Sequence, residues 1–377
     1  MKILTTKEKT FFLNQMKNKI LLIFGTRPEL IKIVPLIHEF EKRSIRDSLF
    51  LLHTKQHDSL IEKDLKDFNI KPDYHLDFEI DRKNLTSLVG NLLLKLNLFL
   101  LKLESTGIKI NCIISQGDTA TSFSTSLFAF HATIPFYHIE AGLRTSNLQD
   151  PFPEEFYRKT IASITAFHFA PTAIEYQNLI HEQIDATQIL VTGNTVIDML
   201  KTYYNKSKPH PKKQAIITLH RREKGETKRN DYIEYFKKLA TENADWQFLW
   251  LKHPSIQFVK SKVEEIQNIE VVNAVSYLEM LKLYEETSII YTDSGGIQEE
   301  AGYLGIPCVI ARKETERKQG IIEGLSLYLD FNEVDIKLQL DKFDTDKLTF
   351  KNDLYGNGES AKLILDTILE NIIRTST

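Results

Sequence analysis

The sequence predicts an α/β protein of two Rossmann-like domains facing a cleft, and three observations lead there. Short β-branched apolar runs alternate with helix-length amphipathic runs along the 377 residues. Strands separated by helices pair in parallel, because a parallel neighbour needs a crossover of about that length. The alternation runs once to Val191-Thr192-Gly193-Asn194, gives way to the polar, Lys- and Pro-containing stretch 205–214, and restarts at a new first strand. The chemically distinctive residues fall at the carboxyl ends of strand-like runs, where open parallel sheets bind ligands.

In chain order, the expected strands of the first half are Ile20–Phe24, Leu49–His53, Cys112–Ser115, Pro135–Ile139, Ala166–Ala170 and Ile189–Thr192. Those of the second half are Ala215–Leu219, Gln247–Leu251, Ile269–Val272, Ser288–Thr292 and Cys308–Ala311. Each is a short apolar run bounded by polar or turn-forming residues. The most apolar helical stretch, Leu88 to Leu103, is interrupted by Asn91, Lys95, Asn97 and Lys102. It falls short of the roughly 18 uninterrupted apolar residues of a membrane span and reads as a core or subunit-interface helix. Residues 1–16 have no signal-peptide layout and are expected to extend outside the fold.

Composition narrows the function. A net charge of −3 supplies no broad basic field, so nucleic acid is not an expected partner, and any anion must be held by local Arg, Lys and helix ends. Cys112 and Cys308 lie in strand-like runs and read as buried free thiols, which suits a reducing cytoplasm.

The most informative segment is Asp293-Ser294-Gly295-Gly296-Ile297-Gln298-Glu299-Glu300, between an apolar strand run and a helical run. A strand turning through Ser-Gly-Gly into a helix presents backbone N–H groups and the positive end of the helix dipole, a site for phosphate. Glu300, about one and a half turns into the helix, suits sugar hydroxyls. The first strand ends in Gly25-Thr26-Arg27-Pro28-Glu29, with Lys32 one turn on; Arg27 and Lys32 crowd a helix end that is already positive, so an anion is expected nearby. Asp118 in Gln116-Gly117-Asp118-Thr119, Glu140 in His138-Ile139-Glu140-Ala141-Gly142-Leu143-Arg144, and Glu154 in Pro153-Glu154-Glu155 are three acids expected to converge on the crevice. His220-Arg221-Arg222-Glu223 ends the first strand of the second half, and Arg317 in Thr315-Glu316-Arg317 is placed to contact an anion.

Taken in order, Gly-Thr-Arg-Pro-Glu at 25–29, Gly-Asp-Thr at 117–119, Glu-Ala-Gly-Leu-Arg at 140–144, Pro-Glu-Glu at 153–155, Gly-Asn-Thr-Val-Ile-Asp at 193–198, His-Arg-Arg-Glu at 220–223, the Asp-Ser-Gly-Gly segment at 293–301 and Thr-Glu-Arg at 315–317 closely resemble the non-hydrolysing bacterial UDP-N-acetylglucosamine 2-epimerases. The resemblance implies a glycosyltransferase-B-type fold: a first domain of residues 17–191 with the returning C-terminal helix 358–377, and a UDP-binding domain of 192–357. It implies a cytoplasmic homodimer, no cofactor and no catalytic metal, acting on UDP-GlcNAc and UDP-ManNAc for polysaccharide synthesis. Asp118, Glu140 and Glu154 are then the acid/base candidates, and His220 assists the leaving diphosphate. Arg27, Lys32, Ser294, Gly295, Gly296, Glu300 and Arg317 bind UDP, and Gln56 and His57 mark a possible allosteric site. The chain departs from the family pattern at Lys55, Tyr157, Met280 and Lys318-Gln319. Two related readings stay open: a 2-epimerase of a modified UDP-hexosamine (a diacetamido-uronate or 6-deoxy sugar), or a hydrolysing epimerase. A glycosyltransferase or a non-catalytic nucleotide-sugar binder on the same fold is a third.

Overall fold

The computed structural model describes residues 18–55, 59–76, 84–204, 211–219, 226–252 and 259–376. The chain divides into two compact units, one running to Met199 and resuming at Gly358, the other spanning Leu200–Asn357.

The first unit alternates β1 (Asn18–Phe24), α1 (Arg27–Lys42), β2 (Leu49–His53), α2 (Ser59–Asp67), β3 (Tyr74–His75), α3 (Leu85–Ser105), β4 (Lys109–Gln116), α4 (Ala120–His131), β5 (Phe136–Ile139), α5 (Glu154–Ile164), β6 (Phe167–Ala170), α6 (Ala173–His181), β7 (Ile189–Val191) and α7 (Thr195–Tyr203). Its sheet order is β3-β2-β1-β4-β5-β6-β7. Every pairing is parallel, with Phe24 opposite His53 and Gln116 opposite Ile139. The run Ile20–Phe24 is buried throughout, as expected of a central parallel strand covered on both faces.

The second unit alternates β8 (Gln214–Thr218), α8 (Glu226–Glu242), β9 (Gln247–Leu251), α9 (Val259–Val263), β10 (Ile269–Val272), α10 (Tyr277–Tyr284), β11 (Ile289–Thr292), α11 (Gly295–Leu304), β12 (Cys308–Ile310), α12 (Lys318–Ile322), β13 (Ser326–Tyr328) and α13 (Ile336–Asp341). Its sheet, β10-β9-β8-β11-β12-β13, repeats the same winding. In both sheets the order reverses beside the first strand, so a crevice opens at the carboxyl ends of β1 and β4, and again of β8 and β11. The core of this unit sets Phe236, Trp250 and Tyr291 edge to face.

Helix α14 (Ser360–Ser376) belongs to the first unit. It buries Ile364, Leu365, Ile368, Leu369 and Ile372, and Asp366 pairs with Arg43 at 2.6 Å. Its first turn is capped from a distance: Asp198 accepts the N–H groups of Ser360 (3.3 Å) and Ala361 (2.9 Å). That cap ties the start of α7 to α14, and the compact units divide after Met199.

Every expected strand is found, with ends shifted by no more than a few residues. The strands not anticipated, β3 and β13, lie at sheet edges and have 2 and 3 residues, too short to carry a pattern of their own. Helix α3 sends Leu88, Leu92, Leu96, Phe99 and Leu103 into the core beside Leu21, Ile23 and Ile113. Its outer side exposes Leu94, Leu98 and Leu101 by 56%, 51% and 53%. Length and composition alone would allow this helix to cross a membrane. The buried stripe at i, i+4 spacing instead makes it a packed element of this unit. Both cysteines are buried free thiols.

Candidate active site

In the first unit, the loops after β1 and β4 are stitched together by Glu29. Its Oε2 accepts the N–H groups of Gly25 (2.9 Å) and Thr26 (2.6 Å), and its Oε1 accepts the hydroxyls of Thr119 (2.7 Å) and Ser122 (3.2 Å). Burial pushes the Glu29 carboxyl upward against the pull of those donors. Glu29 therefore completes the capping box of α1 with Thr26 and also braces the two loops that flank the topological switch point.

Glu140, at the end of β5, is held from three elements. Lys32 Nζ, on α1, pairs with Oε1; Asn194 Nδ2, ahead of α7, donates to Oε1 at 2.7 Å; Gln116 Nε2, ending β4, donates to Oε2. Glu140 adopts a left-handed φ of 66°, a conformation that a non-glycine residue keeps only when its surroundings impose it. Asp118, after β4, pairs with Arg158 Nε at 2.6 Å, and the same guanidinium holds the fully buried Glu155 at 2.8 Å. Glu154 opens α5 one residue earlier, in the first turn of the helix that carries Arg158. His138 lies against the Gly117 carbonyl at 2.7 Å through Nε2; a carbonyl only accepts, so that nitrogen carries the hydrogen. Burial, reinforced by Arg144, lowers the His138 ring to about 4, so it is neutral near pH 7.

The anions expected near Arg27 and Lys32 are present within the protein itself. Arg27 Nε meets Asp64 of α2 at 2.6 Å, and Lys32 meets Glu140. Tyr157, one of the departures, is buried and stacks on Phe123 at 4.6 Å between centroids, a packing role. His220, Gln56 and His57 lie outside the described residues.

In the second unit, Ser294 caps α11 by its backbone, without a hydrogen bond from its hydroxyl to the helix. The first bond joining the helix to its cap, Gln298 N–H to Ser294 O at 3.3 Å, leaves the N–H groups of Gly295, Gly296 and Ile297 outside the helical ladder. Arg317 lies directly over the turn: a Cβ built on Gly295 would come within 2.5 Å of its Cζ. Two buried carboxylates fix that guanidinium, Glu299 at 3.1 Å and Glu316, and Arg312 offsets Glu316 at 2.8 Å. The positive end of the α11 dipole lies at this same turn. Glu300, also on α11, accepts from the Tyr284 hydroxyl at 2.6 Å.

The arrangement brings together, within one unit, acids fixed by cations at neighbouring strand ends, and within the other a helix N-terminus whose first N–H groups lie outside the ladder, with a carboxylate on the same helix. A model of the UDP-N-acetylglucosamine 2-epimerase family matches residues 39–369. The chain belongs to that family. A UDP-N-acetylglucosamine 2-epimerase of Bacillus subtilis strain 168 is 34% identical over 369 residues, covering 94% of this chain and 95% of the relative. The crystal structure of the Neisseria meningitidis UDP-GlcNAc 2-epimerase bound to UDP-GlcNAc superimposes with a TM-score of 0.84 at 30% identity, over 93% of this chain and 100% of that one. A lipopolysaccharide outer core galactosyltransferase matches at TM-score 0.51 and 13% identity, over 95% of this chain and 100% of that one, a likeness of fold alone.

Around the residues that mark the epimerase family, sequence reasoning passed over several partners: Gln116 and Asn194 on Glu140, Arg158 on Asp118, Asp64 on Arg27, Glu299 on Arg317 and Tyr284 on Glu300. Only Arg158 carried a local signal, one helical turn after Glu154 on the same face.

Proposed function

We propose that this chain reversibly converts UDP-N-acetylglucosamine to UDP-N-acetylmannosamine by eliminating and re-adding UDP. The C2 proton is barely acidic, and no carbonyl stabilises a carbanion there. Removing it while the C1–O bond to UDP breaks places the electron pair in a C1=C2 bond and yields a neutral glycal. UDP then adds back as a proton reaches the opposite face of C2. This chemistry needs acid/base groups and tight electrostatic capture of the departed diphosphate. Asp118, Glu140 and Glu154 are assigned to the proton transfers and His220 to the leaving diphosphate. Arg27, Lys32, Ser294, Gly295, Gly296 and Arg317 are assigned to UDP, and Glu300 to the ribose hydroxyls. The observation that carries the reading is the pair of acids at the neighbouring ends of β4 and β5, each held by a cation, in a member of this epimerase family.

The same reading has the enzyme work as a cytoplasmic homodimer that supplies an amino-sugar nucleotide for polysaccharide synthesis. Free buried thiols support the compartment. The exposed leucines of α3, with Phe130 at the end of α4 and Phe156 on α5, support the dimer, because large apolar faces mark interaction sites. The deciding experiment follows UDP-GlcNAc by NMR in deuterium oxide. The manno epimer should appear with deuterium at C2. Absence of both product and label overturns the substrate assignment, and stoichiometric free UDP indicates hydrolysis instead.

A further inference from the structure

We propose that Gln116 and Asn194 are positioning residues which, together with Lys32, hold Glu140 as an acceptor-only carboxylate, so that Glu140 takes up the C2 proton and is not the resident acid. The inference rests on the epimerase reading and assigns one of its acids a direction.

The hydrogen-bond inventory carries the argument. A carboxylate has about four lone-pair positions. Glu140 Oε1 accepts from both Lys32 Nζ and Asn194 Nδ2, which fills that oxygen. Oε2 accepts from Gln116 Nε2. A proton on Oε1 would displace a donor. Oε2 lies nearest Gly117, 3.6 Å from where a Cβ on that glycine would stand.

The amide orientations are determined by their other partners. Asn194 Oδ1 accepts the Val196 N–H at 3.1 Å, within the first turn of α7, so its nitrogen must face Glu140. Gln116 faces an oxygen that only accepts, so it too presents its nitrogen. An amide cannot surrender its proton as a lysine can. Two amides and one ammonium therefore remain donors through the whole cycle. The left-handed backbone at Glu140 points the same way: the carboxylate is held in one place by its surroundings. Lys32 on α1 pairs with it, and His138 on β5 feels its charge together with those of Asp118 and Arg144.

In the step assigned to it, the C2–H bond breaks and its proton passes to Glu140 Oε2. The C–H electron pair becomes the C1=C2 bond, and the C1–O pair leaves with UDP. In the reverse direction the same oxygen returns the proton to the same face.

The test separates the helix cap from the grip on Glu140. Asn194→Ser and Asn194→Asp both keep an oxygen for the Val196 N–H. Serine removes the donor to Glu140, and aspartate turns an anion toward it. Gln116→Leu removes the other amide. In the full-length enzyme, the acidic limb of the kcat–pH profile should move up by about one unit or more in Asn194→Asp, from like-charge repulsion. In Asn194→Ser and Gln116→Leu, kcat at pH 7 should fall about 10- to 100-fold with KM changing far less. A second readout needs no turnover: the Glu140 carboxyl, labelled with ¹³C and assigned against Glu140→Gln, should titrate higher in all three variants than in the wild type. Variants that melt like the wild type while the limb and the titration stay in place overturn the inference. If the wild type itself does not epimerise UDP-GlcNAc, the functional reading fails, and the carboxyl titration still decides the grip on Glu140.

Discussion

Arg158 joins Asp118 to Glu155, with its Nε 2.6 Å from the Asp118 carboxylate and its Nη1 2.8 Å from that of Glu155. Glu155 also accepts the Thr145 N–H at 3.0 Å, so the loop after β5 is anchored to the same network. Replacing Arg158 by Met strands a fully buried carboxylate, a change that costs about 3–5 kcal/mol when one partner of a buried pair is removed. It also frees Asp118 to rotate. We expect a marked fall in melting temperature and a loss in kcat of at least about 100-fold, the scale of a displaced acid/base group. Arg158→Lys should recover stability only in part, because an ammonium lacks the planar fork that reaches both acids. Thermal melts and steady-state kinetics on the two variants check this. Unchanged kcat in a folded Arg158→Met would remove Asp118 from the proton chemistry.

The two glycines of the α11 turn should separate cleanly. A Cβ on Gly295 would lie 2.5 Å from Arg317 Cζ and Nη1, whereas one on Gly296 meets nothing within 4 Å. Gly295→Ala must push Arg317 away from Glu299 and Glu316, so it should lower both thermal stability and UDP affinity. Gly296→Ala should melt at or above the wild-type temperature, since alanine favours a helix by about 1 kcal/mol. If phosphate approaches the turn as proposed, the added methyl should still weaken UDP binding about 10-fold or more, a loss of about 1.4 kcal/mol. Calorimetric titration with UDP decides it: full affinity in Gly296→Ala places the phosphate elsewhere.

Much of the fold was readable because its strands are continuous apolar runs, a pattern that two-sided burial requires of parallel sheets. The candidate residues were readable because strand ends at a switch point concentrate chemistry. Their partners were not. Arg27 and Lys32 announced that anions were needed, but the anions are Asp64, 37 positions away, and Glu140, 108 positions away. Asn194 sits in a turn and Gln116 ends a strand; nothing local says that both amides aim at one carboxylate. The cap from Asp198 to Ser360 is equally silent in the local sequence, because it spans 162 positions.

The exposed side of α3 supports the dimer most directly. Leu94, Leu98 and Leu101 recur at i, i+4 and i+7, one face of the helix, and all are more than half exposed. A Leu94→Glu, Leu98→Glu double variant leaves the buried stripe of α3 intact, so the fold should survive. Light scattering coupled to size exclusion should report a dimer for the wild type and a monomer for the variant at micromolar concentration. A monomeric wild type overturns the homodimer, and a dimeric variant moves its interface to another face.

Asp198 makes stability depend on pH in a direction opposite to most carboxylates. Burial raises its carboxyl from 3.8 to about 6, although the N–H groups of Ala361 and Ser360 pull it down. Below pH 4 the group is protonated in both folded and unfolded chains, and its contribution is fully present. Between pH 4 and 6 the unfolded chain ionises first, so that contribution is lost as pH rises; above 6 both forms are charged and the loss is complete. At 1.36 kcal/mol per pKa unit the full swing is about 3 kcal/mol. Asparagine keeps an acceptor oxygen for the Ala361 N–H and cannot ionise. The stability of Asp198→Asn relative to wild type should therefore climb from pH 4 to 6 and level off above it. Denaturant unfolding of both proteins across pH 4 to 7.5 measures this difference directly, since other titrating groups are common to both. A variant less stable than the wild type above pH 6 would mean that the charge itself stabilises the first turn of α14, and that the helix end outweighs burial at this carboxylate.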